Sequence, residues 1–168
     1  LHNARRITID RNTCFHFNEG LITSNSTADA TRMTDWTVTN NIFAHPRLSG
    51  GSAGGGGFGQ TVNVLFYHNT AWDAVFGCGR GEMKTQATVT VKNNLMDSAF
   101  TSQFDCTLTQ SNNKTTSTSA DFAASASDDF HLAAASSAID AGATGLGVIV
   151  DRANTARDAL PDQGAYEF

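Results

Sequence analysis

One asparagine recurs along the chain in the same local context, and this repeat limits what the chain can fold into. Four segments superpose when aligned on it: Ile7-Thr8-Ile9-Asp10-Arg11-Asn12, Trp36-Thr37-Val38-Thr39-Asn40-Asn41, Val64-Leu65-Phe66-Tyr67-His68-Asn69 and Val89-Thr90-Val91-Lys92-Asn93-Asn94. Leu108-Thr109-Gln110-Ser111-Asn112-Asn113 is a weaker fifth copy. The asparagines Asn12, Asn41, Asn69, Asn94 and Asn113 are spaced by 29, 28, 25 and 19 residues. Apolar residues stand five and three places before each of the first four, the period of two of a strand with one buried face. The opposite face carries Thr8, Thr37, Leu65, Thr90 and Thr109. A second extended piece follows the asparagine (Thr13-Cys14-Phe15, Ile42-Phe43-Ala44, Thr70-Ala71-Trp72, Leu95-Met96-Asp97), and then a third apolar patch at Leu21-Ile22, Phe58, Val75-Phe76 and Ala99-Phe100. Three short strands at a period in the twenties describe one coil of a solenoid, which cannot bury its own apolar face and so must stack on its neighbours. The asparagine is expected at the bend between two strands. There it would adopt the left-handed conformation and hydrogen-bond along the stack as a structural ladder.

Composition agrees with an all-β chain. Charged residues are 16%, against about a quarter in ordinary domains. The polar share comes from 21 Thr and 13 Asn, with 15 Gly and 2 Pro, a mixture of strands and tight turns that excludes a helical bundle. No apolar run approaches the roughly 20 residues of a membrane-spanning helix. The net charge of −5 and the lack of a basic cluster exclude a nucleic-acid backbone as partner. Cys14, Cys78 and Cys106 have neither zinc nor redox spacing. One disulfide with a free thiol (Cys78–Cys106 being a candidate pair) and three buried thiols both remain open. The chain opens on Leu1 without a signal-peptide pattern, so a leader or preceding domain is expected outside it.

With these repeats, the sequence resembles the right-handed parallel β-helices of the pectate-lyase-like superfamily. Bacterial members read "N-x-I-x-N-N-x-F" once per coil, as in Val38-Thr39-Asn40-Asn41-Ile42-Phe43 and Val91-Lys92-Asn93-Asn94-Leu95-Met96. The C-terminal part adds Asp129-Phe130-His131-Leu132, Ser136-Ser137-Ala138-Ile139-Asp140-Ala141-Gly142, the stretch from Asp151 to Arg157, and Pro161-Asp162-Gln163-Gly164-Ala165-Tyr166-Glu167-Phe168. This is similar to the ending of secreted bacterial β-helix proteins with a "choice-of-anchor Q" region, with Ser137 where Pro is usual and Asn154 near a usual Gly. The resemblance implies an all-β, right-handed parallel β-helix of about five coils over residues 1–118, with an irregular capping tail over 119–168 on the same domain. The tail is expected to cover the open end of the last coil with Phe130, Leu132, Ile139, Leu146, Val148, Val150, Tyr166 and Phe168. Asp140, Asp151, Arg157 and Asp162 are expected to hold its loops. Nothing before the first coil reads as a cap. N-terminal coils missing from this chain, or an oligomer partner, are therefore expected over Ile7, Ile9 and Phe15.

Enzymes of this superfamily work in a groove beside one sheet. The resemblance places that groove after Val75-Phe76-Gly77-Cys78, where Arg80, Glu82 and Lys84 alternate to one side. In a lyase-like β-elimination, Arg80 and Lys84 would be the catalytic cations. Glu82 would hold a Ca²⁺ that acidifies the proton beside the uronate carboxyl. Asp105, Trp72 and His45 are the candidate substrate contacts, and Asn25 and Asp29 could be added by a neighbouring coil. The glycine-rich stretch from Arg47 to Gly57 reads as a flexible loop without the Lys-Ser/Thr of a phosphate site. His68, beside Tyr67, reads as a surface or ladder residue. The threonine columns suggest ice binding, but Leu65, Asp10, Tyr67 and Lys92 interrupt them. Two functions follow from the resemblance. One is the C-terminal portion of an extracellular, lyase-like enzyme acting on an acidic polysaccharide. The other is a non-catalytic secreted or surface bacterial module for glycan binding, adhesion or display.

Overall fold

The computed structural model describes residues 4–18, 21–23, 33–47, 54–59, 61–78, 87–102 and 106–168. Strands follow one another in threes: β1 (Arg5–Asp10), β2 (Thr13–Phe15), β3 (Leu21–Thr23); β4 (Met33–Thr39), β5 (Ile42–Ala44), β6 (Gly54–Phe58); β7 (Thr61–Tyr67), β8 (Thr70–Trp72), β9 (Val75–Cys78); and β10 (Ala87–Lys92), β11 (Leu95–Met96), β12 (Thr101–Ser102). They are followed by β13 (Cys106–Ser111) and a tail with an antiparallel pair, β14 (Phe122–Ala124) and β15 (Asp129–Leu132). The fold is all-β with three parallel sheets, ordered β1-β4-β7-β10-β13, β2-β5-β8-β11 and β3-β6-β9-β12. The chain visits the three sheets in rotation.

The register follows the repeat. Ile7, Trp36, Val64, Val89 and Leu108 pair in one row across the long sheet, and Ile9, Val38, Phe66, Val91 and Gln110 in another. Most of these apolar residues point inward, where they meet Phe43, Phe58, Phe76, Met96 and Phe100 in a single core. Phe66 lies near its centre, with ring centroids 5.1 Å from Phe76 and 5.7 Å from Phe100. In the weakest copy a polar residue takes the inward row, and Gln110 Nε2 donates to the Phe100 carbonyl at 3.3 Å.

The asparagines form one continuous ladder. The backbone N–H and side-chain Nδ2 of Asn12 both donate to Oδ1 of Asn41, at 2.9 and 3.1 Å. The same pair of bonds links Asn41 to Asn69, Asn69 to Asn94 and Asn94 to Asn113, all between 2.8 and 3.1 Å. Asn41, Asn69 and Asn94 are fully buried, so every rung replaces water with a protein partner. The left-handed bend belongs to the preceding residue and not, as expected, to the ladder asparagine. Arg11, Asn40, His68, Asn93 and Asn112 have φ between 51° and 56°. The division of labour is geometric. The ladder residue must aim its amide along the stack, so its neighbour turns the corner. This accounts for the doubled asparagines, because Asn is among the few residues that accept that conformation.

Two further expectations change. Gly54 to Gly57, read as part of a flexible loop, belong to β6, which pairs with β3 on one side and β9 on the other. Glycine has no side chain to announce a strand, and here flanking backbone imposes one. The third strand of the fourth set is Thr101–Ser102, one step beyond the apolar Ala99-Phe100.

Cys78 and Cys106 form a disulfide, and Cys14 is a half-buried free thiol whose pKa is raised by burial. The bridge ties β9 to β13 across a separation of 28 residues. By loop-closure entropy such a link stabilises by about 3–4 kcal/mol. The Cys78→Ser/Cys106→Ser protein should therefore unfold at markedly lower urea. An unchanged midpoint would show that the link contributes nothing.

The tail runs along the flank, whereas it was expected over the last coil's open end. Its apolar residues form a second core with the outer face of the β2-β5-β8-β11 sheet: Phe122, Phe130, Leu132, Ala138 and Ala165 against Ile42, Ala44 and Leu95. No tail residue joins the inner core. Phe15, expected at an exposed end, packs instead on Phe130 with centroids 5.9 Å apart. Phe168, expected as cover, is 68% exposed. The tail meets every turn of the left-handed corner: Asn154 with Arg11, Arg157 Nη2 with Asn40 Oδ1 (3.0 Å), the Asp162 carbonyl with His68 Nδ1 (3.1 Å), Gly164 N with the Asn93 carbonyl (2.8 Å), and Gln163 Nε2 with the Asn112 carbonyl (2.9 Å). Gly164 has φ of +98°, and a Cβ there would stand 2.9 Å from Leu95 Cβ, so only glycine lets the tail approach.

Candidate functional site

The charged tail residues are structural. Arg157, with 2% of its side chain exposed, donates to Glu167 Oε2 at 2.8 Å, to Asn40 and to the Gly164 carbonyl. Asp151 accepts from the Thr155 and Glu167 amides, and Asp162 from those of Asp140 and Phe168. Burial raises the Asp162 pKa in spite of these bonds. His68, expected at the surface or in the ladder, is only 1% exposed. Its Nδ1 donates to the Asp162 carbonyl, and its Nε2 accepts from Asn93 Nδ2 at 3.0 Å, which describes a neutral ring. Burial, reinforced by the Arg157 charge, pushes its pKa down to about 3.

Arg80, Lys84, Glu82 and Asp105, with Asn25 and Asp29, lie outside the described residues. The structure therefore does not bear on the lyase-like set or on a Ca²⁺ at Glu82. Among the described residues no group of three or more His, Cys, Asp or Glu is arranged to hold a metal.

Trp72 and His45 come together. Trp72 pairs with Ala44, and its carbonyl accepts from the His45 amide at 3.2 Å. His45 occupies a second left-handed column with His16 and Asp73. Its Nδ1 lies 3.3 Å from Asp73 Oδ2, and its Nε2 lies 3.3 Å from Asp128 Oδ1 and 3.4 Å from the Ser125 carbonyl. The Asp73 amide donates to Asp97 Oδ2 at 2.8 Å, and the Asp97 pKa is raised by burial and by the Asp73 charge. The Trp72 ring meets Phe122 edge-on at 5.3 Å. This corner is thus occupied by the tail, and its partners are those of a docking contact.

The open concavity lies on the outer face of the long sheet, where residues 146–150 stand off from β1, β4 and β7. It encloses about 370 Å³, in the range of about 300–1,000 Å³ typical of ligand sites. The sheet contributes Thr8, Asp10, Thr37, Thr39, Asn40, Leu65 and Tyr67. Thr39 Oγ1 and Asn40 Nδ2 both donate to Asp10 Oδ1, at 2.9 and 3.1 Å, and Arg11 Nε donates to Asp10 Oδ2 at 2.7 Å. The opposite wall is fixed by Asn40 Nδ2 to the Val150 carbonyl at 3.2 Å and by the Arg157 amide to the Ile149 carbonyl at 3.0 Å. Thr8, Thr37 and Tyr67 hydroxyls have no hydrogen-bond partner among the described residues. Tyr67 is only 8% exposed, and burial raises its pKa, so the phenol stays protonated at neutral pH. A neighbouring concavity of about 420 Å³ has His68 and Arg157 in its lining, but both His68 nitrogens and the Arg157 Nη groups are committed to the contacts above. The threonine column was legible in the sequence. The wall was not, because residues 146–150 are held against the sheet by a contact with Asn40, 110 residues from Val150 in the chain.

Comparison of the chain with models of protein families, with curated proteins and with solved structures returns no significant match. No helix among the described residues is long and apolar enough to cross a membrane.

Proposed function

We propose that this chain is a non-catalytic module of a secreted or cell-surface bacterial protein that binds polysaccharide, built as a right-handed parallel β-helix like those of the pectate-lyase-like superfamily. The rotation of the strands through three parallel sheets and the column of stacked asparagines support the architecture. The observation that carries the function is the groove over the threonine face. Its Thr8, Thr37 and Tyr67 hydroxyls are without protein partners among the described residues, beside the apolar side chains of residues 146–150. A sugar ring is matched to such a surface, since it carries hydroxyls at its edge and C–H groups on its faces. A folded module of this kind should be retarded in native gels cast with the polysaccharide it recognises. Migration unchanged across a broad panel would end the reading. The lyase-like alternative, with Arg80, Lys84, Glu82 and Ca²⁺, makes its own prediction. Uronate polymers with Ca²⁺ should then yield products absorbing as unsaturated uronates, whereas the binding module should produce none.

A further inference from the structure

We infer that the groove between the long sheet and residues 146–150 is selective for a neutral, hydroxyl-rich sugar ring and rejects uronates, an inference that rests on the glycan-binding reading above. The first argument is charge. Asp10 is the acid in the lining, and among the described residues no cation is part of it. Arg11, next in sequence, is spent on Asp10 and Asn154. Arg157 is buried against Glu167, and Arg152 is engaged by Thr13. Lys92, although it pairs with Tyr67 in register, is not part of the lining. A uronate carboxylate entering here would meet the Asp10 carboxylate, whose cation Arg11 is already paired with it, and would find no further counter-ion in the lining.

The second argument is hydrogen-bond chemistry. Tyr67 is only 8% exposed, and it lines the groove with a hydroxyl that has no protein partner among the described residues. Thr8 and Thr37, adjacent in register on β1 and β4, also present hydroxyls that are unpaired among the described residues. Hydroxyls both donate and accept, so they suit the hydroxyls of a neutral ring. Leu65 and the 76%-exposed Ile149 offer apolar surface for its C–H face. The site is also preorganised, because the carbonyls of Ile149 and Val150 are tied down before any ligand arrives.

The test is affinity measured by titration calorimetry against soluble glucan, mannan and xylan, with polygalacturonate and alginate in parallel. At least one neutral polymer should bind, the uronates should bind at least tenfold more weakly, and Tyr67→Phe should weaken neutral binding about three- to tenfold. Thr37→Val is the second variant, and either variant carries the test if the other unfolds. A uronate polymer binding as tightly as the neutral one, and weakened by the same variants, would overturn the neutral selectivity and leave glycan binding intact. Failure of every polymer to bind would end the glycan reading itself. So would binding that both folded variants leave unchanged, as far as this groove is concerned.

Discussion

Asn69→Ala should destabilise the fold by several kcal/mol and lower its urea midpoint sharply. Asn69 is fully buried at the centre of the ladder. Its Oδ1 accepts from both the amide and the side chain of Asn41, and its Nδ2 donates to the Val38 carbonyl at 2.9 Å and to Asn94 Oδ1. Alanine removes all of these at once and leaves the Asn41 amide, one Asn41 Nδ2 hydrogen and the Val38 carbonyl without these partners at a fully buried position. Each stranded group costs about 1–3 kcal/mol, so the loss is on the order of 3–6 kcal/mol, comparable with the roughly 5–15 kcal/mol of a whole domain. Asn12→Ala is the internal control. Asn12 is exposed at the end of the ladder and only donates along it, so its replacement should cost about 1 kcal/mol or less. Urea unfolding of the two variants should therefore differ by several kcal/mol. Equal losses would mean that the ladder is not a cooperative buried column.

Acidification below pH 6.5 should destabilise the protein, and His68→Asn should remove most of that dependence. His68 has an ordinary pKa of 6.5 that falls to about 3 in the folded state. Between those values the unfolded chain binds a proton that the folded chain refuses. The neutral ring's contribution is therefore complete above pH 6.5 and is lost as pH falls toward 3. The slope is about 1.4 kcal/mol per pH unit, or on the order of 2 kcal/mol between pH 6.5 and 5. Asp97 and Asp162 act in the opposite sense, because burial raises their pKa and protonation relieves them. Asp121 is also buried, but bonds from Lys114, the Thr118 amide and Ser136 hold it below the usual carboxylate range. Its contribution is lost only in stronger acid. Asparagine is the natural replacement at His68, since Asn40, Asn93 and Asn112 hold the same left-handed place in other layers. Denaturation midpoints for both proteins from pH 5 to 8 decide the matter. Parallel profiles would remove His68 from the account.

The repeat was legible because period-two alternation and the recurring asparagine are local signals, and stacking turns them directly into register. Ile7, Trp36, Val64 and Val89 were aligned by counting back from the asparagine, and they pair as aligned. The glycine strand β6 was not legible, since its pairing is imposed by β3 and β9. The corner was half legible. Asparagine was the right residue type, but which of two adjacent asparagines turns the chain depends on which one must face the stack. Of the candidate contacts, Trp72 and His45 are neighbours at a corner held by Phe122, Asp73 and Asp128. Neither of the first two signals that docking in its own sequence context.

The amino-acid sequence alone determined most of the strands, though not β6 or the place of β12, and the vertical alignment of Asn12, Asn41, Asn69, Asn94 and Asn113, because each copy repeats the same short local pattern around its asparagine. Only the tertiary structure decided that the tail lies along the flank, that His68 is sealed beneath it, and that residues 146–150 wall a groove over Thr8, Thr37 and Tyr67. Those outcomes depend on where distant surfaces meet. A buried apolar face and an open hydrogen-bonding corner select their cover by shape and by unpaired groups, and neither leaves a periodic trace in the chain that supplies it.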